Sequence, residues 1–245
     1  MAGLLSRLRE KRPEPISCSA VVVAAGSARR MEGIDKMFAP LGELPVLVHT
    51  LYAFQDCPLV DEIVLVTREE LLVEAGRLCK DFSLNKVTKV IVGGAERIHS
   101  VQAGLGEVNS GAALIAIHDG ARPLVSQRVL EEAITRASVT GAAAPAVPVT
   151  DTIKRVENGL AAETVDRTQL WAVQTPQVFE SGLIRAAIHK AIEDGEALTD
   201  DCGAAERLGM KVSLTAGSRE NLKITTPLDL VLGEAILQAR VEGTL

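Results

Sequence analysis

A short apolar run ending in glycine or an acid, followed by a stretch with helical spacing, recurs through the first half of this chain, and no other feature restricts its fold as much. Ala20–Ala25 stops at Gly26, Lys89–Val92 stops at Gly93 and Gly94, and Ala113–Ile117 runs into His118 and Asp119. Glu62–Thr67 has the same character. Runs this short, apolar at successive positions and rich in Val and Ile, predict strands buried on both faces. Between them, Pro45–Phe54, Glu69–Cys79 and Ser100–Glu107 carry apolar residues at helical spacing, and Ser126 is placed to cap a helix through Ala137. Ala142–Val149 reads as a further strand. Strand–helix alternation predicts an α/β fold with a doubly wound, mainly parallel, Rossmann-like sheet. Composition agrees: 47% of residues are hydrophobic but only 2% aromatic, so the core is built from Ala, Val, Leu and Ile.

The pattern changes between Thr150 and Gln174. Thr152–Val156 and Glu163–Asp166 are strand-like and flank Glu157-Asn158-Gly159, a sequence suited to a tight hairpin turn. This segment, about 150–174, reads as a β-arm inserted into the main sheet's chain path. Helices are then predicted at Ser181–Glu193 and Asp201–Leu208, with a strand at Lys211–Thr215. Thr226-Pro227-Leu228-Asp229 opens a last helix with a cap, an N1 proline and an N3 acid. Residues 1–17 are expected to form an extension, and 18–245 a single domain carrying the arm.

Net charge is −6 with no long basic run, so general attraction to nucleic acid is not expected. The four cysteines form no CxxC pair, which argues against a zinc site. No stretch approaches the roughly 20 apolar residues of a membrane span, and the first seventeen residues hold no apolar signal core. A cytoplasmic protein without a membrane partner is the expectation.

On a doubly wound sheet, ligands bind in loops beyond the carboxyl ends of the strands, and the informative residues fall there. Ala24-Ala25-Gly26-Ser27 follows the first strand, with small side chains that let backbone N–H groups approach phosphates. Arg29, Arg30 and Lys36 add local positive charge. Gly93-Gly94-Ala95-Glu96-Arg97-Ile98-His99-Ser100 is a second such loop. It is open to base or ribose contacts, with Arg97 or Ser100 near phosphates, or to a plain role with Ser100 as helix cap. His118-Asp119-Gly120-Ala121-Arg122-Pro123 ends a third strand. There Asp119 is suited to Mg²⁺ beside phosphates, and Arg122 to an anionic substrate. A turn held by an Asp–backbone bond is the rival for Asp119, and His118 orients that turn.

Together these blocks resemble the 2-C-methyl-D-erythritol 4-phosphate cytidylyltransferases. So do Asp151-Thr152-x-Lys154, Thr164-Val165-Asp166-Arg167, Gln174-Thr175-Pro176-Gln177, Thr199-Asp200 and Asn221-x-Lys223-Ile224-Thr225, in the family's order from Ala20 to about Ala239. Three departures stand in the first loop: Ala28 where the family usually has a second glycine, Asp35 where a proline usually precedes the lysine, and an Arg30–Lys36 interval one residue short. The resemblance implies a nucleotidyltransferase that joins CTP to 2-C-methyl-D-erythritol 4-phosphate with Mg²⁺ and releases pyrophosphate. It implies Arg30, Lys36, Arg167 and Lys223 as catalytic residues. Nucleotide contacts are implied from Ala24 to Ser27, from Gly93, Gly94, Arg97 and Ser100, and from Asp119 and Gly120. Arg122, Thr152, Arg167, Thr175, Thr199 and Lys223 are implied around the second substrate. A homodimer whose arms complete the neighbouring site is implied as well. Transfer to ribitol 5-phosphate and a catalytically weakened nucleotide-binding dimer scaffold are the alternatives.

Overall fold

The computed structural model describes residues 16–26 and 35–245. Most of the expected N-terminal extension, together with Ser27, Ala28, Arg29 and Arg30, lies outside the described residues.

Strand β1 (Cys18–Val23) leads through a short hairpin, β2 (Pro40–Leu41) and β3 (Leu44–Pro45), into helix α1 (Val46–Gln55). Then follow β4 (Glu62–Thr67), α2 (Leu72–Asp81), β5 (Val87–Val92), α3 (Arg97–Glu107), β6 (Leu114–Asp119), α4 (Gln127–Thr140) and β7 (Ala142–Pro148). The arm is the hairpin of β8 (Lys154–Glu157) and β9 (Leu160–Thr164). The chain rejoins the sheet as β10 (Trp171–Val173) and β11 (Gln177–Glu180), and ends with α5 (Ser181–Glu193), α6 (Asp201–Arg207), β12 (Ser213–Ala216) and α7 (Pro227–Val241).

The α/β reading holds. β5, β4, β1 and β6 lie side by side and parallel. Chain order runs outward from β1 to β5 and then crosses back to place β6 on the other side of β1. That reversal opens a crevice at the carboxyl ends of β1 and β6, where Val23 pairs with Asp119. Alternating side chains serve two layers. Ala20, Val22, Ile63 and Leu65 pack under α1, α2 and α4, while Val21, Val64 and Val66 pack under α3 and α5. This is why the strands read as unbroken apolar runs. On the second face α3 approaches β1 so closely that a Cβ on Gly104 would lie 2.4 Å from Val21 Cγ1.

The mainly parallel sheet holds with an antiparallel part, and three boundaries differ from expectation. The sheet is mostly parallel, but β11 lies antiparallel between β6 and β7, and β10 continues antiparallel along β7. Ala143 and Ala146 pair with β12 as well, so β10 and β11 share one edge of β7 and β12 holds the other. Trp171-Ala172-Val173 has already rejoined the sheet, so the excursion ends before Gln174; three residues are too few to show a period. Helix α3 begins at Arg97 with Glu96 in the N-cap position, which puts Ser100 inside the helix. The stretch after β4 opens with a 3₁₀ turn at Glu69–Leu71 before α2 begins.

Local signals were otherwise followed closely. Ser126 caps α4 by accepting from Val129 N–H at 3.4 Å. The Asp229 carboxylate accepts from the N–H groups of Thr225 and Thr226 at the start of α7. Asn158 and Gly159, at φ 50° and 80°, form the arm's turn in the left-handed region their residue types tolerate.

Candidate active site

The crevice is built from backbone first. Each loop leaving the sheet is tied to the neighbouring strand by one more ladder-like bond: Ala24 N–H to Val66 O, Gly93 N–H to Thr67 O, and Gly120 N–H to Val23 O, at 2.7, 2.7 and 2.8 Å. Gly93 lets its loop lie flat against the first one, since a Cβ there would stand 2.6 Å from both Ala25 Cβ and Ser100 Oγ. The Ser100 hydroxyl accepts from Gly94 N–H at 3.1 Å and contacts Glu96 O, so it braces the double-glycine loop from inside the first turn of α3.

Lys36, Arg97, Asp119 and Lys223 line one cleft, together with Ala25, Gly26, Gly94 and Ser100. Four distant parts of the sequence therefore converge as anticipated. Met37, Ala95 and Glu96 also line it. Lys36 arrives on a turn opened by Asp35, whose carboxylate accepts from Met37 N–H at 2.9 Å and pairs with Arg68. The residue that departs from the family's usual proline thus holds the turn by side-chain bonds.

Asp119 is the electrostatic centre. Its carboxylate lies 2.8 Å from Lys223 Nζ, 3.4 Å from Arg97 Nε and 3.7 Å from Arg122 Nε. Burial works against its charge, but Arg97, Lys223 and Arg122 outweigh it and hold the carboxyl well below the usual carboxylate range. Lys223 is delivered by the segment 221–224, which runs beside 121–122. Ile224 N–H bonds to Ala121 O and Arg122 Nη1 to Asn221 O, both at 2.7 Å. Asn221, fully buried, donates to Thr175 O at 2.9 Å. In a chain of net charge −6, this concentration of cations makes a local anion site.

Behind Asp119 lies a second layer. Its N–H donates to the Thr175 hydroxyl at 3.1 Å, and that hydroxyl lies 3.0 Å from His118 Nδ1. Arg122 O, 3.2 Å from Nε2, can only accept, which puts the neutral ring's proton on Nε2 and makes Nδ1 the acceptor of the Thr175 hydroxyl. Burial drives the His118 pKa down to about 4, so the ring is neutral at pH 7. The reading of His118 as the residue that orients the Asp119 turn is supported by this chain of bonds.

Other candidates lie elsewhere. Thr175 is buried, with its hydroxyl engaged as described. Thr199 is exposed. Thr152 and Arg167 are exposed on and beside the arm and are not among the residues lining this cleft, and Arg167 Nη1 donates to Thr150 O at 2.6 Å across the arm's base. Asp201 and Gln177 carried no assigned role in the sequence reading. Asp201 sits beside Thr199-Asp200, but its partner Arg97 is 104 positions away, a separation no local pattern reveals.

Among the described residues, no group of three or more His, Cys, Asp or Glu side chains converges as a metal cluster. A single carboxylate beside a cationic crevice still fits Mg²⁺, which keeps several waters and takes substrate phosphates as ligands. Asp119 would hold it, and the ion would supply charge neutralisation between phosphates.

A doubly wound sheet with glycine loops and a cationic cleft at its switch point has the architecture of a nucleotidyltransferase. The family model described as 2-C-methyl-D-erythritol 4-phosphate cytidylyltransferase matches residues 18–239. The chain is 43% identical over 230 residues to the protein of that name from Alkaliphilus metalliredigens, covering 92% of this chain and 95% of that one. With its counterpart from Symbiobacterium thermophilum it shares 45% over 225 residues, covering 91% and 94%. Among solved structures, 4-diphosphocytidyl-2C-methyl-D-erythritol synthase from Anaerococcus prevotii superimposes with TM-score 0.81 at 28% identity, covering 92% of this chain and all of that one. The Thermus thermophilus cytidylyltransferase gives TM-score 0.75 at 32% identity, covering 89% and 98%. The chain belongs to the 2-C-methyl-D-erythritol 4-phosphate cytidylyltransferase family.

Proposed function

We propose that this enzyme transfers the cytidylyl group of CTP to 2-C-methyl-D-erythritol 4-phosphate in isoprenoid precursor synthesis. A phosphate oxygen of the polyol attacks the α-phosphorus of CTP. A new P–O bond forms, the α–β bridging bond breaks, and pyrophosphate leaves with that electron pair. No nucleophilic side chain is needed. The observation that carries this reading is the gathering of Lys36, Arg97 and Lys223 with Asp119 in one cleft, with the Arg122 guanidinium also 3.7 Å from the Asp119 carboxylate. Cations fixed where charge accumulates stabilise the transition state more than the ground state.

In this reading the backbone of Ala24, Ala25, Gly26, Ser27, Gly93, Gly94 and Gly120 cradles the nucleotide. Arg30 and Lys36 neutralise the α-phosphoryl oxygens, and Asp119 would hold Mg²⁺, which would supply charge neutralisation to the phosphates. Lys223, Arg122 and Thr199 receive the polyol phosphate. Ser100 and Thr175 act through the loops they brace. Thr152 and Arg167 reach the site of a second subunit, because the arm strands are exposed along their whole length and bury nothing in their own chain. The protein works as a homodimer in the cytoplasm. Among the described residues no helix is long and apolar enough to cross a membrane.

Pyrophosphate release measured with each of four nucleoside triphosphates, against methylerythritol 4-phosphate and ribitol 5-phosphate, tests the chemistry. CTP with the methylerythritol substrate is expected to be fastest, and faster turnover with ribitol 5-phosphate overturns the assignment. Mixing Lys36→Ala with Arg167→Ala subunits tests the arm. About half of reassorted dimers are mixed, and in each of those one site escapes both lesions, so roughly a quarter of wild-type activity returns. No recovery, with subunit exchange verified, confines Arg167 to its own subunit.

A further inference from the structure

Asp201 is a carboxylate beside the cleft that the chemistry above leaves unused, and it is almost completely buried, with a side chain 2% exposed. It lies at the first position of α6. Gln177 from β11 fixes that helix end: its side-chain carbonyl accepts from Asp201 and Cys202 N–H at 2.9 and 3.0 Å, and its amide donates to Asp200 at 2.9 Å. Both Asp201 oxygens are spent on one partner, Arg97 Nη1 at 2.8 Å and Nη2 at 2.7 Å. That bidentate fork leaves only Arg97 Nε toward Asp119, at 3.4 Å. Arg97 therefore bridges two carboxylates unequally, with its two terminal nitrogens on Asp201 and a long contact on Asp119.

We propose that Asp201 is a positioning residue that keeps the Arg97 guanidinium from closing on Asp119, and so leaves the Asp119 carboxylate available to a divalent cation. The proposal rests on the reading of Asp119 as the metal-holding residue. An Arg–carboxylate fork is geometrically specific as well as strong. A guanidinium without its fork partner turns to the nearest other carboxylate, and here that is Asp119, already in contact with Lys223 at 2.8 Å. A second close cation on those oxygens competes directly with a metal ion. Asp201 also lowers the net positive charge facing that ion. Its buried helix-terminal setting holds the fork rigidly, because Gln177 leaves the end of α6 no freedom to withdraw.

The test is direct binding of Mn²⁺ alone, with the free ion counted by its EPR signal, on the full-length protein. Asp201→Asn, which keeps the shape and removes the charge, is expected to weaken Mn²⁺ binding by fivefold or more, and Asp201→Glu to retain most of it. The double variant Arg97→Gln/Asp201→Asn removes the competing guanidinium as well. It leaves a neutral amide pair that preserves packing, and it is expected to bind Mn²⁺ at least as tightly as wild type. A purely structural staple predicts no such reversal of sign. The inference is overturned if Asp201→Asn, folded by circular dichroism, binds Mn²⁺ like wild type. It is equally overturned if the double variant binds more weakly than wild type, an outcome that remains decisive should the single variant fail to fold. Asp119→Asn separates the two levels. An unchanged Mn²⁺ curve for that variant removes the metal from Asp119 and the premise with it, whereas a weakened curve beside an unaffected Asp201→Asn condemns the positioning role alone.

Discussion

Lowering the pH should destabilise this protein through His118. The ring is fully buried, tilted against Phe54 at a centroid distance of 4.9 Å. It accepts from Thr175 on Nδ1 and donates from Nε2 to Arg122 O. A second proton has to go on Nδ1, where the Thr175 hydroxyl already points its own. The folded pKa is depressed to about 4 from an ordinary 6.5. Between those values the unfolded chain binds a proton that the folded one refuses, so stability falls as pH drops through that window. Against pH 7.0, the loss is about 1 kcal/mol at pH 5.5 and about 2 kcal/mol at pH 4.5. The assay is urea unfolding at these pH values for wild type and His118→Gln, which cannot titrate. The variant is expected to be less stable at pH 7.0 and to lack that part of the slope. Parallel pH dependences for the two proteins would refute both the buried neutral ring and the tautomer drawn from it.

Lys36→Ala is expected to lower kcat more than about tenfold, a loss of roughly 1.4 kcal/mol of transition-state stabilisation, and wild-type kcat in the folded variant removes Lys36 from the chemistry. Gly104→Ala places a Cβ 2.4 Å from Val21 Cγ1, so thermal or urea melts should show a loss of about 1–3 kcal/mol from overpacking; an unchanged midpoint means α3 moves away freely. Ser126→Ala removes the cap on Val129 N–H and should cost about 1 kcal/mol, measured the same way, with activity retained. Arg68→Met frees Asp35 and should raise the KM for CTP through Lys36, and an unaltered KM leaves the ion pair without a role in the loop.

Much of this protein is written locally. The apolar runs that became β1, β4 and β6 are legible because a strand buried on both faces needs apolar side chains at every position. The caps at Ser126 and Thr226, and the Asn158-Gly159 turn, are legible because each depends on dihedrals and hydrogen bonds within a few residues. The glycine loops and Asp119 could be singled out for the same reason: strand ends are where backbone groups remain free to meet a ligand. The family followed from the order of such blocks. The tertiary structure decided what depends on separation. β10 and β11 have no period of their own, and only pairing along β7, with β6 as β11's second neighbour, makes them strands. Ser100 reads locally as a helix cap, but the close approach of Gly93 to Ala25 turns it into a brace for the double-glycine loop before it. Asp201 carries no local signal, because the guanidinium that explains its burial comes from another helix. Charge–charge contacts fall off within angstroms in space and take no account of distance along the chain. The cations assembled on Asp119 from Arg97, Arg122 and Lys223 therefore exist only once the sheet has closed the crevice.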